Sequence, residues 1–421
     1  MPFEYLKRIA DAELAEKLAR SGAVVIRGAK WCGKTETARQ QAASVLYMQD
    51  PDEYAHNSLL AETKPSLLLQ GDQPRLIDEW QDAPQLWDAV RFAVDRQHGA
   101  GHFILTGSAT PGETPRHSGV GRFSFMTMRP MSLFESRDSS GDVSLSQLFT
   151  DPSSIEGMSN ADIEDYAHLV CRGGWPEAVI SPSKSAAYGM AKDYLTAVAN
   201  EDISRVDGTQ RNPAYALLVM RAYASKTATQ ANMAAIRNDM KAQGSELSRN
   251  TVDAYVAALR KLYVFEDLES WKPSLRDKTR IATTPTRHFV DPSLAAAAMG
   301  ATPDILLRDI PTFGILFESL CVRDLRIYAE SMGGKVHHYH DDSGKEADAV
   351  IVLDDGRWGL VEVKLGASNV EEGARNLIDL KEKIDCSLMG EPAFLMVMTA
   401  GPYAYQRNDG VAVVPPACLR P

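Results

Sequence analysis

The sequence lacks a long apolar run. No stretch of its 421 residues approaches the roughly 18 to 20 uninterrupted apolar residues that a membrane-spanning helix requires. The opening residues, MPFEYLKRIADAELAEKLARSG, carry acidic side chains early and have no apolar signal core. We therefore expect no membrane partner and a cytoplasmic location.

Cysteine is scarce and scattered. The five cysteines are odd in number and show none of the close spacing of cysteine metal sites. This usage indicates free thiols in a reducing compartment. The three histidines of KVHHYH, at positions 337, 338 and 340, have no separated set of partner ligands, so an exposed strand explains them better than a zinc site.

Positive charge is in deficit overall. The formal net charge of −11 argues against sequence-blind nucleic-acid binding over the whole surface. Between Arg205 and Arg287, however, 14 Lys or Arg face 8 Asp or Glu, a local net charge of +6. A segment of opposite sign hints at a nucleic-acid face, although a solvated helical surface accounts for it as well.

A phosphate-binding loop is the most specific motif present. A short apolar run ending at Ile26 predicts a buried parallel strand, and the residues that follow match G-x-x-x-x-G-K-[ST] at every fixed position. Lys34 would reach the β- and γ-phosphates of ATP, and the Thr35 hydroxyl would ligate Mg²⁺. The expected nucleotide-binding residues are Gly28, Ala29, Lys30, Trp31, Cys32, Gly33, Lys34, Thr35 and Glu36.

Further motifs complete an ATPase pattern. Asp78 and Glu79 end a short apolar strand, where the Asp would hold Mg²⁺ and the Glu would polarise the attacking water. Ser108, at the end of HFILTGSAT, is expected to orient that water; a turn or capping serine is the alternative. Arg122, with Arg129 as second choice, is expected to reach a neighbouring subunit's γ-phosphate, the alternative being a structural arginine.

In order, the phosphate loop, LIDEWQ, LTGSAT, GR…RPMSLFE and RGGWPEA resemble a prokaryotic family of AAA-type ATPases. The C-terminal domain of that family is similar to restriction-endonuclease-like folds. The loop interior AKWC and Met131, where the family commonly has Leu, depart from the pattern. The resemblance implies an α/β protein that acts as a homo-oligomer. It comprises a P-loop AAA-type core (1–150), a helical lid (151–224), a winged helix (225–300) and a PD-(D/E)xK nuclease-like α/β domain (301–421).

The basic middle of the chain shows a helix-turn-helix pattern. Apolar residues recur at helical spacing after Ser248, a plausible N-cap, and the β-like YVFEDLES follows. The predicted DNA contacts are Arg249 and Asn250 at the start of the helix and Arg276, Lys278 and Arg280 in the wing. A protein-interaction module is the alternative.

The C-terminal third contains an Asp…Glu-x-Lys pattern. DDGR at 354–357 predicts a hairpin that would bring Asp348 near Glu362. Lys364 shares a strand face with Glu362 because side chains repeat every two residues. The pattern resembles PD-(D/E)xK nucleases, whose carboxylates hold Mg²⁺ while the lysine positions water; Glu318 would add a third carboxylate. A half-exposed charged strand is the alternative.

These patterns predict a Mg²⁺-dependent ATPase coupled to a nuclease-like domain. Its expected partner is DNA, on which it would act as a motor, a remodeller or an ATP-gated nuclease. The alternative is an ATP-driven switch that acts on protein partners, with a catalytically silent C-terminal domain.

Overall fold

The computed structural model describes residues 5–108, 119–273, 284–341, 343–387 and 389–421. Two compact units are present, and they are not collinear with the sequence. The first contains Met1–Pro130, Asn200–Arg211 and Ala257–Val264, and the second contains Met131–Ala199, Asn212–Val256 and Phe265–Pro421.

The main segment of the first unit ends at Pro130, ahead of the expected boundary at residue 150. The reason lies in the contacts of the residues that follow. The N–H of Leu133 donates to the Asp324 carboxylate at 2.9 Å, and Val143 pairs with Leu419 in a parallel ladder. Residues 131–150 therefore belong with the C-terminal part of the chain.

The first unit is built on a parallel five-stranded sheet with the strand order β2-β3-β4-β1-β5. Strands β1, β3 and β4 occupy its centre, so their carboxyl ends meet at one edge. β1 is buried from Ala23 to Ile26, as its apolar run predicted. The elements are α1 (Ala10–Arg20), β1 (Ala23–Arg27), α2 (Lys34–Arg39), β2 (Ser44–Tyr47), α3 (Tyr54–Thr63), β3 (Arg75–Asp78), α4 (Gln85–Gln97), β4 (Phe103–Gly107) and β5 (Phe123–Thr127).

The middle of the chain is mostly helical. Ser248 caps α12, since its Oγ accepts from the Thr251 N–H at 3.2 Å. After α12, bridges join Phe265 to Phe289 and Leu268 to Thr286 in antiparallel fashion. The elements are β6 (Val143–Ser144), α5 (Leu145–Leu148), β7 (Gly157–Met158), α6 (Ile163–Arg172), α7 (Pro176–Ile180), α8 (Lys184–Ala197), α9 (Ile203–Arg205), α10 (Pro213–Ala224), α11 (Met233–Ala242), α12 (Arg249–Lys261), α13 (Pro292–Met299) and α14 (Pro303–Leu306).

The C-terminal part forms a mixed sheet with the order β7-β12-β13-β11-β10-β9-β8. β8, β9 and β10 are antiparallel neighbours, and β11 runs parallel to β10 after the α16 crossover. The predicted hairpin at 354–357 is present. The elements are α15 (Ile310–Ser331), β8 (Gly334–His340), β9 (Glu346–Leu353), β10 (Trp358–Lys364), α16 (Val370–Lys383), β11 (Leu395–Thr399), β12 (Tyr403–Gln406), β13 (Ala412–Val414) and β14 (Leu419–Arg420).

Two expectations from composition can be compared with the fold. Among the helices of the described residues, none has both the length and the apolar character needed to cross a membrane. All five cysteines lie in the described residues as free thiols.

Candidate functional site

The phosphate loop connects β1 to α2, as its motif requires. Gly28 has a φ of 148° and Gly33 a φ of 99°, values in the region that favours glycine. A Cβ on Gly28 would lie 2.0 Å from the carbonyl oxygen of Met128, so no side chain fits there. The two glycines therefore allow the tight curl that brings successive backbone N–H groups towards a phosphate.

Lys34 lies over its own loop. Its Nζ donates to the carbonyl oxygen of Ala29 at 2.7 Å, and its side chain is buried. The ammonium group is thus held inside the curl of the loop, where a phosphate oxygen would be a stronger, charge-assisted partner than a neutral carbonyl.

Asp78 joins the loop to the neighbouring strands. Its Oδ1 accepts from the Thr35 hydroxyl at 2.7 Å and from the Thr106 hydroxyl at 2.5 Å. Burial raises the pKa of Asp78, the two hydroxyl donors lower it, and the nearby Glu79 raises it again. A hydroxyl and a carboxylate brought together at a phosphate loop are ligands that Mg²⁺ prefers, so these residues fit the ion.

Glu79 is fixed by two donors. It takes a left-handed backbone conformation, with φ at 54°, immediately after β3. Ser108 Oγ donates to Glu79 Oε2 at 3.0 Å, and the Gln81 side-chain amide donates to the same oxygen. The structure therefore places Ser108 on the acid that was predicted to polarise water.

Arg122 lies at the amino ends of the parallel strands, opposite the carboxyl ends where the phosphate loop is. It precedes Phe123, which pairs with Ala23 at the start of β1, whereas the phosphate loop follows the end of β1. Five residues of strand, roughly 16 Å, separate the two edges. Arg122 Nε donates to Asp95 Oδ1 at 2.7 Å. Arg122 therefore cannot serve the phosphate loop of its own chain.

Two residues outside the phosphate loop, Arg8 and Asp202, contact it, and no sequence motif predicts either contact. Arg8 Nη1 donates to the carbonyl oxygen of Cys32 at 2.7 Å, and its Nη2 donates to that of Arg129 at 2.9 Å. Lys30 Nζ lies 2.6 Å from Asp202 Oδ1, which is 172 positions away along the chain. No pattern in the sequence connects positions so far apart. Arg8 therefore supports the loop from one side, and Lys30 ties it to the Asn200–Arg211 segment.

The predicted DNA contacts are only partly within the described residues. The Arg249 side chain at the start of α12 is 76% exposed and pairs with Asp253 at 3.5 Å, and Asn250 is exposed as well. Arg276, Lys278 and Arg280 lie outside the described residues. Arg249 and Asn250 therefore lie on an accessible surface.

Asp348 and Glu362 lie one position beyond the last paired residues of the antiparallel β9–β10 ladder. The register pairs Leu360 with Val350 and Val361 with Ala349, and its continuation brings Glu362 to Asp348. Asp348 Oδ2 accepts from the Val363 N–H at 2.7 Å. The Asp348 carboxylate on β9 therefore takes the place of a backbone acceptor for the β10 residue Val363.

Glu362 is buried with half of its carboxylate paired. The residue is only 3% exposed, so the alternative of a half-exposed charged strand is wrong at this position. Glu362 Oε1 lies 2.9 Å from Lys364 Nζ. Glu362 Oε2 makes no hydrogen bond of 3.5 Å or less within the described part of the chain. Burial raises the pKa of Glu362, and the side chains of Lys364 and Asn376 lower it, so Asn376 also lies near this carboxylate. A buried carboxylate oxygen without a donor is a position that a cation could satisfy.

Glu318 shares the electrostatic environment of these acids. Burial raises its pKa well above the ordinary range, and the charges of Asp348 and Glu362 raise it further. Yet across residues 5–421, gaps excepted, no three His, Cys, Asp or Glu side chains form a group that could hold a metal ion. The arrangement of this region is thus two carboxylates on adjacent strands, Asp348 and Glu362, with Lys364, and the charges of the two acids act on the buried Glu318.

Comparison with known protein families gives three successive matches. Residues 20–136 match an AAA domain, residues 163–305 a domain of unknown function (DUF8612), and residues 313–419 a domain of unknown function (DUF4143). The first match supports a P-loop ATPase, with nucleotide binding and ATP hydrolysis in the N-terminal segment. The other two descriptions name no activity.

Sequence similarity to two mycobacterial proteins covers most of the chain. Uncharacterized proteins of Mycobacterium bovis and Mycobacterium tuberculosis are each 23% identical over 420 residues, covering 97% of this chain and 83% of the relative. Among solved structures, the Walker-type ATPase of Pyrococcus abyssi matches with a TM-score of 0.43 at 13% identity. That match covers 70% of this chain and 96% of that chain.

Proposed function

We propose that the chain is a Mg²⁺-dependent ATP hydrolase of the AAA type. The observation that carries this proposal is the convergence of Thr35 and Thr106 on one oxygen of Asp78, directly behind a complete phosphate loop. Carboxylate and hydroxyl oxygens in this arrangement suit Mg²⁺, which when bound neutralises charge on the phosphates.

The residues of the site divide the work of hydrolysis. Lys34 binds the β- and γ-phosphates, and Thr35 and Asp78 hold the metal. Glu79 accepts a hydrogen bond from the attacking water and orients it, while Ser108 fixes the Glu79 carboxylate at 3.0 Å. This assignment is tested by Lys34→Ala, which should abolish ATP hydrolysis. Hydrolysis that persists in purified Lys34→Ala protein contradicts the assignment.

We propose that the chain acts as a homo-oligomer in which Arg122 of one copy serves the phosphate loop of another. Because it lies at the sheet edge away from its own loop, any contact with a γ-phosphate must come from a second copy of the chain. Arg122→Ala and Lys34→Ala proteins should each be inactive alone and recover part of the activity when mixed, since mixed assemblies pair an intact loop with an intact arginine. Mixtures that stay inactive contradict a role in trans.

A second candidate function concerns the C-terminal part: metal-assisted cleavage of DNA by a PD-(D/E)xK-like site. The buried Glu362 Oε2, which makes no hydrogen bond of 3.5 Å or less among the described residues, favours it, because a divalent cation could contact that oxygen together with Asp348. Lys364 would position water or stabilise developing charge. The succession of α15, three antiparallel strands, α16 and a parallel strand is compatible with a restriction-endonuclease-like fold.

DNA is the proposed partner of both activities. Arg249 and Asn250 at the start of α12 are exposed, and the helices with the two bridges that follow are compatible with a winged helix. If DNA is the substrate, it should stimulate ATP hydrolysis, and the stimulation should fall steeply with salt because phosphate contacts release counterions.

Cleavage is tested with DNA and Mg²⁺ or Mn²⁺. Nicking that disappears in Lys364→Ala protein that circular dichroism shows to be folded supports the nuclease site, whereas equal nicking by both proteins indicates a contaminant. A chain that hydrolyses ATP, ignores DNA and responds to a protein partner would instead be the ATP-driven switch with a silent C-terminal domain.

A further inference from the structure

The phosphate loop contains a second lysine, Lys30, in addition to the motif lysine Lys34. It lies inside the phosphate loop, between the glycines at 28 and 33, so its backbone is part of the cradle that would surround the phosphates. Its ammonium group lies 2.6 Å from Asp202. The Lys30 side chain is 40% exposed and that of Asp202 only 7%, so one partner is accessible and the other is enclosed.

Asp202 belongs to a segment that is firmly held. Asn200–Arg211 is part of the first unit, although the chain on both sides of it belongs to the second. The Arg211 guanidinium makes two 2.7 Å hydrogen bonds to the Asp207 carboxylate and a third to the carbonyl oxygen of Ile203. These bonds fix the short helical turn that presents Asp202.

Lys30 and Arg205, which belongs to the same segment as Asp202, both bring positive charge near Asp82. Asp82, three positions after Glu79, has its pKa raised by burial, and among the charges that lower it are Lys30 and Arg205. The charges of Lys30 and Arg205 therefore both reach Asp82, in the turn that follows β3. Arg205 is exposed and pairs with Glu201 at 3.6 Å.

We propose that Lys30 is a second phosphate-contacting lysine and that Asp202 competes with the γ-phosphate for its ammonium group. This inference rests on the proposed ATPase function and extends it. Since the enclosed Asp202 carboxylate loses its partner when Lys30 turns to the phosphate, ATP binding weakens the hold of the loop on the Asn200–Arg211 segment. Linkage is reciprocal, so removing the charge of Asp202 strengthens binding of ATP.

ADP supplies the internal comparison because it lacks the γ-phosphate. The experiment measures binding of Mg²⁺–ADP and of a non-hydrolysable Mg²⁺–ATP analogue by calorimetric titration. The proteins are wild type, Asp202→Asn, Lys30→Met, Lys30→Arg and the Asp202→Asn/Lys30→Met double variant. Lys17→Met is the matched control, because Lys17 forms an ion pair of 3.4 Å with Glu13 on α1.

The expected result is a change in discrimination between the two nucleotides. Asp202→Asn should raise the affinity for the ATP analogue relative to that for ADP by roughly fivefold or more. Lys30→Met should lower this affinity ratio by a similar factor. Lys30→Arg should retain most of the discrimination because it keeps the charge. Asp202→Asn should have no effect once Lys30 is Met, and Lys17→Met should resemble wild type.

Two outcomes overturn the inference. The first is an equal change for ADP and the ATP analogue, since an ion pair that only anchors the segment would act on both alike. The second is an effect of Asp202→Asn that persists in the Lys30→Met protein. A wild-type chain that binds neither nucleotide overturns the proposed ATPase function itself, and the ADP titration distinguishes that case.

Discussion

Thr106 donates to Asp78 Oδ1 at 2.5 Å, across the two adjacent central strands β3 and β4. Thr35 contacts the same oxygen, so Thr106 fixes the carboxylate that the loop hydroxyl shares. Replacing Thr106 by Val keeps the shape and removes this donor. A hydrogen bond to a charged group contributes about 1.5–3 kcal/mol, so we expect the Mg²⁺ concentration for half-maximal hydrolysis to rise roughly tenfold.

Thr127→Val provides the matched control for this change. Thr127 is exposed on the edge strand β5, and the substitution removes a hydroxyl without touching Asp78. Mg²⁺ titrations of ATP hydrolysis should give the same midpoint for this control as for wild type. A Thr106→Val midpoint equal to that of the control contradicts a role for Thr106 in shaping the metal site.

Glu79→Gln should separate binding from hydrolysis. The amide keeps an oxygen that Ser108 can contact, but it loses the negative charge that polarises water. We expect kcat to fall by about 100-fold or more, while the affinity for Mg²⁺–ATP changes little. Steady-state kinetics and equilibrium binding test the two parts independently.

The control for that prediction is Glu62→Gln on α3, an exposed carboxylate away from the site. It should leave kcat unchanged. If Glu79→Gln retained wild-type turnover, the general base would have to be sought elsewhere, and Glu79 would be a structural acid at the end of β3.

His338 should make the protein less stable as the pH falls. Burial lowers its pKa to about 4 from an ordinary value of 6.5. Between these values the unfolded chain binds a proton that the folded chain does not. The free energy of unfolding therefore decreases as the pH falls from about 6.5 to 4, by at most about 1.4 kcal/mol per pH unit for this group.

Denaturant titrations at several pH values test this expectation. His338→Gln should unfold with a shallower dependence on pH, whereas His56→Gln, at an exposed position in the first unit, should keep the wild-type slope. A ring resonance of His338 that titrates near pH 6.5 in an NMR experiment would contradict the assignment.

Short sequence patterns predict several local features of the fold correctly. The buried β1 run, the glycines at 28 and 33 and the hairpin at DDGR each depend on neighbours in sequence, and the structure has each of them. Ser248 as an N-cap belongs to the same class. Such features are predictable because the cause lies within a few residues of the effect.

Features that depend on tertiary packing could not be predicted from short sequence patterns. The sequence predicts an exposed strand at KVHHYH, but His338 is only 1% exposed, so the prediction is wrong for this residue. The ion pair between Lys30 and Asp202 joins positions far apart, and the supporting contact of Arg8 with Cys32 comes from a segment without a motif. Nothing local in the sequence encodes which distant side chain completes each contact.

Lys364 should be essential for stability because of Glu362. The two side chains form an ion pair of 2.9 Å, and the Glu362 side chain is 4% exposed. Removing Lys364, whose side chain is 24% exposed, leaves the buried Glu362 carboxylate without its partner. Because burial already raises the pKa of Glu362, protonation limits the loss, and Lys364→Met should lower the free energy of unfolding by up to about 3 kcal/mol at neutral pH. Adding Glu362→Gln should recover much of that loss, because the carboxylate that lost its lysine is then replaced by a neutral amide. The control is Lys381→Met, whose pair with Glu391 is exposed and should contribute less than about 1 kcal/mol. Calorimetry of the four proteins distinguishes the cases: equal losses for Lys364→Met and Lys381→Met, or no recovery in the double variant, would show that the Glu362 carboxylate does not depend on Lys364 for its burial.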